Sequence, residues 1–437
     1  MSSGPVGILG GGISGIAFAH FSGLDAEIFE KEDRLGGLCR SFDTGGVACD
    51  IGPHIFFSKN EEVLRFATSL TPMNRLRRSN KIFYKGRFVK YPFENELSAL
   101  PEADREWCLQ SFLSNPHEDE RADNMLAFFL KTFGEGITRT YLEPYNRKIW
   151  KHDPSLMDTQ MVERIPKPPA EDIIASAKGV PTEGYLHQLH FNYPERGGAQ
   201  AMVDGLYALC ADRLTVHLSS PVEKLRRMKD GSFEVRAGGK AHHFESVVSA
   251  MPVHELVPRM EPAPPADVLE SLSAMLFNAI HITIVQTAED HLDENFAVMV
   301  PDPDIAFHRL SKLDFLGESY RLPGASTLMV EITFRRGDRF DLRDDEITDL
   351  VVRDLERVGF SAKRSLRRAV TRTFPYAYVI YDLHHRRNTD KVLAWLQSQG
   401  VPSAGRFATF EYINSDQALA LAKAAAERFL SRQGSEI

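Results

Sequence analysis

Long apolar runs and an excess of positive charge are both absent from this chain of 437 residues. The formal net charge of -8 argues against a nucleic acid as partner, and the basic clusters at 75–78 and 363–368 are expected to be solvated faces. Because neither a membrane-length segment nor a signal-peptide pattern is visible, we expect no membrane span and a cytoplasmic location.

Cysteine is equally scarce, and no two cysteines form a CxxC pair. No HExxH pattern occurs, and the neighbouring histidines are scattered along the chain, so we expect no metal site. The cysteines are therefore expected to be reduced, buried thiols, at Cys39, Cys49, Cys108 and Cys210.

A glycine-rich turn follows the first predicted strand, Val6–Leu9. Gly10, Gly12 and Gly15 have the GxGxxG spacing, and a helical pattern comes directly after them. A second predicted strand delivers Glu30, twenty residues after Gly10, where a carboxylate can bind a ribose 2′-hydroxyl. The glycines allow the backbone and the helix N-terminus to approach a pyrophosphate. Strand, turn, helix, strand and acid in this order predict a dinucleotide-binding Rossmann fold.

A second glycine pair extends this motif. Glu30 is followed by Arg34, Gly36 and Gly37, which completes the pattern ExxxRxGG. It resembles the extended fingerprint of glutathione-reductase-like flavoproteins, above all the branch of amine oxidases, protoporphyrinogen oxidase and UDP-galactopyranose mutase. The resemblance implies FAD rather than NAD as cofactor. A surface ion pair for Arg34 and a plain turn at the glycines remain the structural alternative.

The chain is long enough for several domains, and its 43% hydrophobic and 26% charged residues are ordinary for a globular protein. We predict an α/β fold with three parts. Residues 1–60, 191–255 and 400–437 form a discontinuous glutathione-reductase-like FAD-binding domain, residues 61–190 a mainly helical insertion, and residues 256–399 an antiparallel-sheet substrate domain.

Two further segments match that branch near the cofactor. The stretch from Asp50 to Phe56 resembles the GPHxFHT segment of UDP-galactopyranose mutase, which implies that His54 lies near the flavin. Phe57 departs from the family, where a second histidine is usual. Val222 opens a predicted strand at which the branch contacts the adenine side of FAD, although an ordinary core valine fits the pattern equally well.

The insertion carries a match to the substrate site of the mutase family. Tyr145, Trp150 five residues later and Arg164 fourteen residues beyond it occur at the family's spacing. The resemblance implies that the tyrosine stacks on the base and the arginine binds the diphosphate. These residue types suit a nucleotide diphosphate, since aromatic faces stack on bases and guanidinium binds phosphate bidentately. Core aromatics and an ion pair are the alternative for each residue taken alone.

Two segments in the C-terminal half, around Arg309 and Tyr378, resemble the remaining segments of the family that contact the substrate phosphates. Arg309 maps to a substrate-phosphate arginine, and Glu331 falls where the family has a glutamate in the neighbouring strand. Tyr378 is the chosen match to a tyrosine that meets the diphosphate, but Val379 replaces the expected proline. The expected catalytic set is therefore His54, Arg164 and Arg309.

The segment from Gly405 to Asp416 resembles the closing flavin motif of the family. It implies Arg406 near the isoalloxazine, Tyr412 toward the substrate phosphates, and Asn414 at a helix start that faces FAD. Asn414 is also a good helix N-cap residue, a structural role compatible with the functional one.

The resemblance implies an FAD-dependent nucleotide-sugar mutase that interconverts pyranose and furanose rings of an NDP-hexose, with N5 of reduced flavin as the nucleophile. Such an enzyme would act in polysaccharide or glycoconjugate biosynthesis. It would take its electrons from an external reductant such as NAD(P)H, and a homodimer is the expected assembly. The alternative is a flavin oxidoreductase of the amine oxidase or protoporphyrinogen oxidase type. A flavin-bound protein without turnover is a third class.

Overall fold

The computed structural model describes residues 4–165, 169–180, 182–183 and 189–435. Within these ranges the strands are Val6–Leu9 (β1), Ala26–Phe29 (β2), Ser41–Thr44 (β3), Val47–Asp50 (β4), Met73–Arg77 (β5), Asn80–Tyr84 (β6), Arg87–Lys90 (β7), His190–Pro194 (β8), Leu214–His217 (β9), Val222–Arg227 (β10), Phe233–Ala237 (β11), Lys240–Phe244 (β12), Val247–Ser249 (β13), Met260–Glu261 (β14), Phe277–Thr287 (β15), Ala297–Met299 (β16), Arg309–Lys312 (β17), Ser326–Phe334 (β18) and Leu366–Val379 (β19). The α-helices are Ile13–Ser22 (α1), Glu61–Ser69 (α2), Glu102–Leu113 (α3), Met125–Ile137 (α4), Glu143–Trp150 (α5), Ala170–Ala177 (α6), Gln200–Ala208 (α7), Val253–Leu256 (α8), Ala266–Ser273 (α9), Asp344–Arg357 (α10), His385–Ser398 (α11) and Ser415–Ser435 (α12). None of the described helices is both long and apolar enough to cross a bilayer.

The two N-terminal strands β1 and β2 form a parallel sheet with two later strands, in the order β13-β1-β2-β9. Every residue of β1 is buried, as expected for a strand covered on both faces. Helix α12 packs against α1, where the ring of Phe18 meets Phe429 edge to face at 5.5 Å. The C-terminal helix therefore packs on the first helix of the parallel-sheet layer.

The glycine turn between β1 and α1 depends on close backbone contacts. A Cβ on Gly15 would lie 2.4 Å from the carbonyl oxygen of Gly10, so only glycine lets α1 start this close to β1. Gly36, at φ 124°, donates its N–H to the carbonyl of Gly11 at 2.8 Å. The second glycine pair therefore lies directly against the first turn.

A second sheet, with the order β12-β11-β10-β14, corrects one expectation. Strands β9 and β13 come from the predicted FAD-binding segment 191–255 and join the parallel sheet, whereas β10, which starts at Val222 in the same segment, does not. Its chain turns back instead, because Gly238 and Gly239 have φ angles of 54° and 75°, which suit a tight hairpin between β11 and β12. Val222 is buried at the start of β10.

The third layer is a seven-stranded sheet with the order β19-β15-β18-β17-β16-β6-β7. Its pairs are antiparallel except for β16 with β6, which run parallel. The hairpin β6–β7 comes from the predicted helical insertion but extends the sheet of the predicted substrate domain. The proposed boundary between residues 61–190 and 256–399 thus crosses a continuous sheet, and the domain limits stay a prediction.

Helix α5 is fixed to this sheet at its C-terminal end. The buried amide of Asn278 donates to the carbonyls of Ile149 and Trp150 at 3.0 and 2.9 Å. The buried ammonium of Lys148 donates to the carbonyls of Val300 and Asp302 at 2.8 and 2.7 Å. The Asn278 bonds satisfy carbonyls at the helix end, and together with the Lys148 bonds they hold Trp150 in a fixed position beside the sheet.

His385 makes the stability of this fold depend on pH. It is buried and stacks on Tyr381 at 4.1 Å, and neither ring nitrogen has a hydrogen-bond partner among the described residues. Burial lowers the pKa of His385 to about 4. Below pH 6.5 the unfolded chain takes up a proton that the folded chain does not, so stability falls by about 1.4 kcal/mol per pH unit toward pH 4.

We therefore expect His385→Phe to lose less stability than the unmodified chain between pH 7 and pH 4.5. The phenyl ring keeps the stacking contact, and no hydrogen bond is lost. Urea unfolding at both pH values measures the difference, and equal losses for the two proteins would exclude this role for His385.

Candidate active site

A cavity of about 680 Å³ opens where the parallel strands β1 and β2 end. Its size lies within the range of small-molecule and cofactor sites, and the carboxyl edge of a parallel sheet is the usual place for them. Gly15 lies behind the turn, whereas the other predicted cofactor residues line this cavity: Gly10, Gly12, Glu30, Arg34, Gly36, Gly37, His54, Val222, Arg406 and Asn414.

The N-terminus of α1 faces this cavity. Gly12 is the N-cap residue and supplies no side chain to the first amides of the helix. A Cβ on Gly12 would meet only the Cα of Gly37, at 3.8 Å, so the protein itself leaves open space there. This cradle fits the pyrophosphate of a dinucleotide, which would use the exposed amides and the positive end of the helix dipole.

The carboxylate of Glu30 is fixed by two backbone hydrogen bonds. Its Oε2 accepts the N–H of Gly11 at 2.8 Å and its Oε1 accepts the N–H of Glu32 at 3.0 Å. The carboxylate still has lone pairs for a sugar hydroxyl, because each oxygen can accept a second bond. Arg34 is half exposed at the cavity mouth and makes an ion pair with Asp33 at 3.3 Å.

His54 and Arg406 also line the wall of this cavity. Nδ1 of His54 is buried without a hydrogen-bond partner among the described residues, and burial lowers the pKa of His54, so the ring is neutral at pH 7. Arg406 donates from Nε to the carbonyl of Ile413 at 2.7 Å and from Nη1 to the carbonyl of Ala377 at 3.1 Å. His54 therefore places a neutral imidazole in the wall of the cavity, where a bound flavin would lie.

A buried ion pair lies at the centre of the neighbouring sheet. Arg309 on β17 and Glu331 on β18 are cross-strand partners and form a bidentate pair at 2.6 and 2.7 Å. Tyr145 and Tyr378 are electrostatic neighbours of the guanidinium. Burial raises the pKa of both tyrosines, which therefore keep their hydroxyl protons and can donate them.

Aromatic contacts connect this ion pair with the cavity. The ring of Trp150 meets Tyr378 at 5.6 Å and Tyr412 at 5.4 Å, both edge to face. Arg406 lies 5.1 Å above the ring of Tyr412. Tyr145 stacks on its neighbour along the helix, Tyr141, at 5.3 Å. We call Tyr145, Trp150, Arg309, Tyr378 and Tyr412 the arginine–tyrosine cluster.

Apart from His54, which lines the cavity, six residues were predicted to act in catalysis or substrate binding. The structure brings five of them together in this cluster, and the sixth is Arg164. Arg164 ends the 3₁₀ helix Thr159–Arg164, and its side chain lies outside the described residues. Trp150 is buried and its Nε1 donates to Asn146 at 2.8 Å, so it acts as a wall of the cluster.

Arg78 is a candidate that the sequence analysis missed. Arg75 and Arg77 are exposed, as expected of a solvated face, but Arg78 is half buried and lies 4.9 Å above the ring of Phe57. It lines a second cavity of about 320 Å³ together with Tyr91. The two-residue repeat of a strand could have identified it, because Leu76 and Arg78 share the inward face.

Strand β19 supplies two further residues that were not predicted. Arg372 and Tyr376 both line the main cavity, and because they are four residues apart they share one face of the strand. The guanidinium of Arg372 lies 4.5 Å above the ring of Phe42, and Tyr376 stacks on Phe277 at 5.0 Å. Tyr378, the predicted residue, belongs instead to the arginine–tyrosine cluster.

Residues 19–388 match the sequence model of a family described as flavin containing amine oxidoreductase. The chain belongs to this family. Membership, together with the glycine fingerprint and the cavity it borders, identifies an FAD-dependent enzyme.

Two curated relatives are mutases of nucleotide sugars. The chain is 26% identical to dTDP-fucopyranose mutase of Escherichia coli over 204 residues, which cover 43% of the chain and 54% of the relative. It is 24% identical to a probable UDP-galactopyranose mutase of Klebsiella pneumoniae over 174 residues, which cover 36% of the chain and 44% of the relative. The chain therefore spans about half the length of these curated relatives.

The crystal structure of a reduced UDP-galactopyranose mutase superimposes with a TM-score of 0.89 at 21% sequence identity, covering 99% of this chain and 94% of that one. The likeness confirms the predicted fold class, a glutathione-reductase-like α/β protein with an added sheet layer.

Proposed function

We propose that this chain is an FAD-dependent nucleotide-sugar mutase that interconverts the pyranose and furanose forms of an NDP-hexose. The observation that supports this most is the contact between the cofactor cavity and the arginine–tyrosine cluster. Arg406 lines the cavity and also lies over Tyr412, which packs against Trp150. A sugar diphosphate held by the cluster would have its sugar at the edge of the flavin.

The cluster has the chemistry that a diphosphate leaving group requires. A guanidinium carries five N–H groups, and Glu331 uses two of those on Arg309. The ion pair therefore orients the guanidinium while leaving donors for phosphate oxygens. Tyr145 and Tyr378 add neutral hydroxyl donors beside the same group. Donors fixed in a buried site stabilise developing negative charge without reorganisation.

Reduced FAD would supply a nucleophilic nitrogen for the anomeric carbon, a role for which the cluster offers no side chain. Around that centre, the buried ring of Trp150 excludes water from the cleft. His54 can donate or accept one hydrogen bond as a neutral imidazole. The need for the reduced cofactor, NAD(P)H as external reductant, a homodimer and a cytoplasmic location are parts of this proposal.

A flavin oxidoreductase of the amine oxidase or protoporphyrinogen oxidase type is the second candidate, favoured by the family to which the chain belongs. Oxidation of an amine or a porphyrinogen needs no diphosphate site. The Arg309–Glu331 pair among tyrosines is therefore the feature that separates the two functions.

Turnover without oxygen tests the proposal. FAD-loaded protein, reduced with dithionite or with NADPH, is incubated with UDP-galactopyranose and with dTDP-fucopyranose, and products are separated by chromatography. We expect furanose product from at least one substrate with reduced protein and none with oxidised protein. Oxidation of amines by the oxidised protein, with no nucleotide-sugar product in either state, would favour the second candidate.

Tyr412→Phe is expected to lower kcat/KM for the nucleotide sugar about 10- to 100-fold, because one hydrogen bond to a charged phosphate is worth roughly 1.5–3 kcal/mol. The phenyl ring keeps its packing against Trp150 and under Arg406. Steady-state kinetics and bound FAD are measured together. Tyr207→Phe on α7 is the matched control, because Tyr207 belongs neither to the arginine–tyrosine cluster nor to the walls of the two cavities. An unchanged kcat/KM for Tyr412→Phe would remove its hydroxyl from the site.

A further inference from the structure

Three side chains with metal-ligating atoms meet away from the arginine–tyrosine cluster. Glu27 lies on β2, His217 on the adjacent strand β9, and His242 on β12 of the second sheet. Nε2 of His217 is 2.8 Å and Nδ1 of His242 is 3.6 Å from the same Oε2 of Glu27. One ligand atom from each side chain lies within 4.8 Å of the others. We call these three residues the histidine–glutamate triad.

The spacing suits a tetrahedral ion. Bonds of about 2.0–2.1 Å in a tetrahedral zinc site place neighbouring ligand atoms about 3.4 Å apart, and the observed 2.8 and 3.6 Å lie on either side of that value. Two imidazoles and a carboxylate are ligands of zinc and similar transition metals, whereas Mg²⁺ and Ca²⁺ prefer oxygen alone. The three side chains are 19–28% exposed, so water can reach a fourth position.

Phe29 holds both imidazoles in place. Its ring stacks on His217 at 4.8 Å with an interplanar angle of 8°, and meets His242 edge to face at 4.8 Å. Strand pairing places Phe29 opposite His217, so Glu27 lies on the same face one repeat away. The ligands are therefore oriented by packing in the protein alone, which lowers the entropy cost of binding an ion.

We propose that Glu27, His217 and His242 bind one divalent transition-metal ion, with Zn²⁺ preferred and water as the fourth ligand. The ion joins the parallel sheet to the second sheet across β2 and β12. Strand β2 leads directly into Glu30, the candidate ribose ligand, so the ion fixes the strand that carries it. In its absence the same geometry is a hydrogen bond between Nε2 of His217 and Oε2 of Glu27.

Zinc binding to tag-free, FAD-loaded full-length protein tests the proposal. After chelator treatment, equilibrium dialysis against ZnCl₂ should give one zinc per chain by atomic absorption, undisturbed by excess Mg²⁺. His217→Ala and His242→Ala should weaken binding at least about tenfold, since even loss of a partner behind a ligand costs 10–100-fold. His243→Ala is the matched control, because His243 is the exposed next residue on β12.

FAD content and circular dichroism show whether each variant folds. Glu27→Gln keeps the size of the side chain and removes its charge, and it should also weaken zinc binding if an alanine variant fails to fold. Less than stoichiometric zinc in the unmodified protein, or equal binding by His243→Ala and all three triad variants, would overturn the proposal.

Discussion

Arg309→Ala is expected to keep bound FAD and to lose nucleotide-sugar binding by about 100-fold or more. The guanidinium is the charged donor at the centre of the arginine–tyrosine cluster, and charge-assisted bonds of this kind contribute roughly 1.5–3 kcal/mol each. It is not part of the wall of the FAD cavity. Calorimetric titration of FAD-loaded protein with UDP and dTDP measures the binding, and flavin absorbance measures the cofactor.

The substitution also leaves Glu331 buried without its cation, and Glu331 is fully buried. Breaking such a pair costs about 3–5 kcal/mol of stability. The double variant Arg309→Ala with Glu331→Gln removes the unpaired charge, so it should recover much of that stability but none of the nucleotide binding. If the double variant binds nucleotide as the unmodified protein does, Arg309 has a structural role only.

The second large effect is expected at the glycine turn, where Gly12→Ala should fold normally and fail to bind FAD. A Cβ there meets no protein atom closer than 3.8 Å, and the backbone of Gly12 is extended, at φ -71°, which alanine adopts freely. The fold therefore has no reason to change, and we expect stability to alter by less than about 0.5 kcal/mol. The added methyl group stands in the space needed for the close approach of a pyrophosphate.

Gly15→Ala is the matched comparison. Its Cβ would lie 2.4 Å from the Gly10 carbonyl oxygen, so α1 must move away from the sheet and both stability and FAD binding should fall. Unfolding of the apo proteins in urea, together with FAD titration, separates the two variants. Full FAD affinity in a stable Gly12→Ala protein would contradict the proposed position of the cofactor.

Local features of the sequence predicted the local structure well. β1 has the predicted bounds Val6–Leu9, because its apolar run ends at the glycine-rich turn. Pairings between distant segments were harder to predict. The hairpin β6–β7 lies in the segment predicted as a mainly helical insertion, yet it joins β16, and nothing in its own residues specifies that partner.

In the candidate site, too, residues within local motifs could be predicted from the sequence, whereas contacts between distant segments could not. Residues within recognisable motifs, such as His54 and Arg406, line the cavity together. Arg78 was missed because it belongs to a basic cluster in which Arg75 and Arg77 are exposed. The histidine–glutamate triad could not be found from spacing, since Glu27 and His217 are 190 residues apart and meet only through strand pairing.

A crystal structure of the FAD-loaded protein with bound UDP tests the central claim most directly. We predict that both phosphates lie within hydrogen-bonding distance of Arg309 or of the hydroxyl groups of Tyr378 and Tyr412, with the outer phosphate nearest the flavin. A diphosphate bound outside this cluster, with Arg309 contacting only Glu331, would contradict the account.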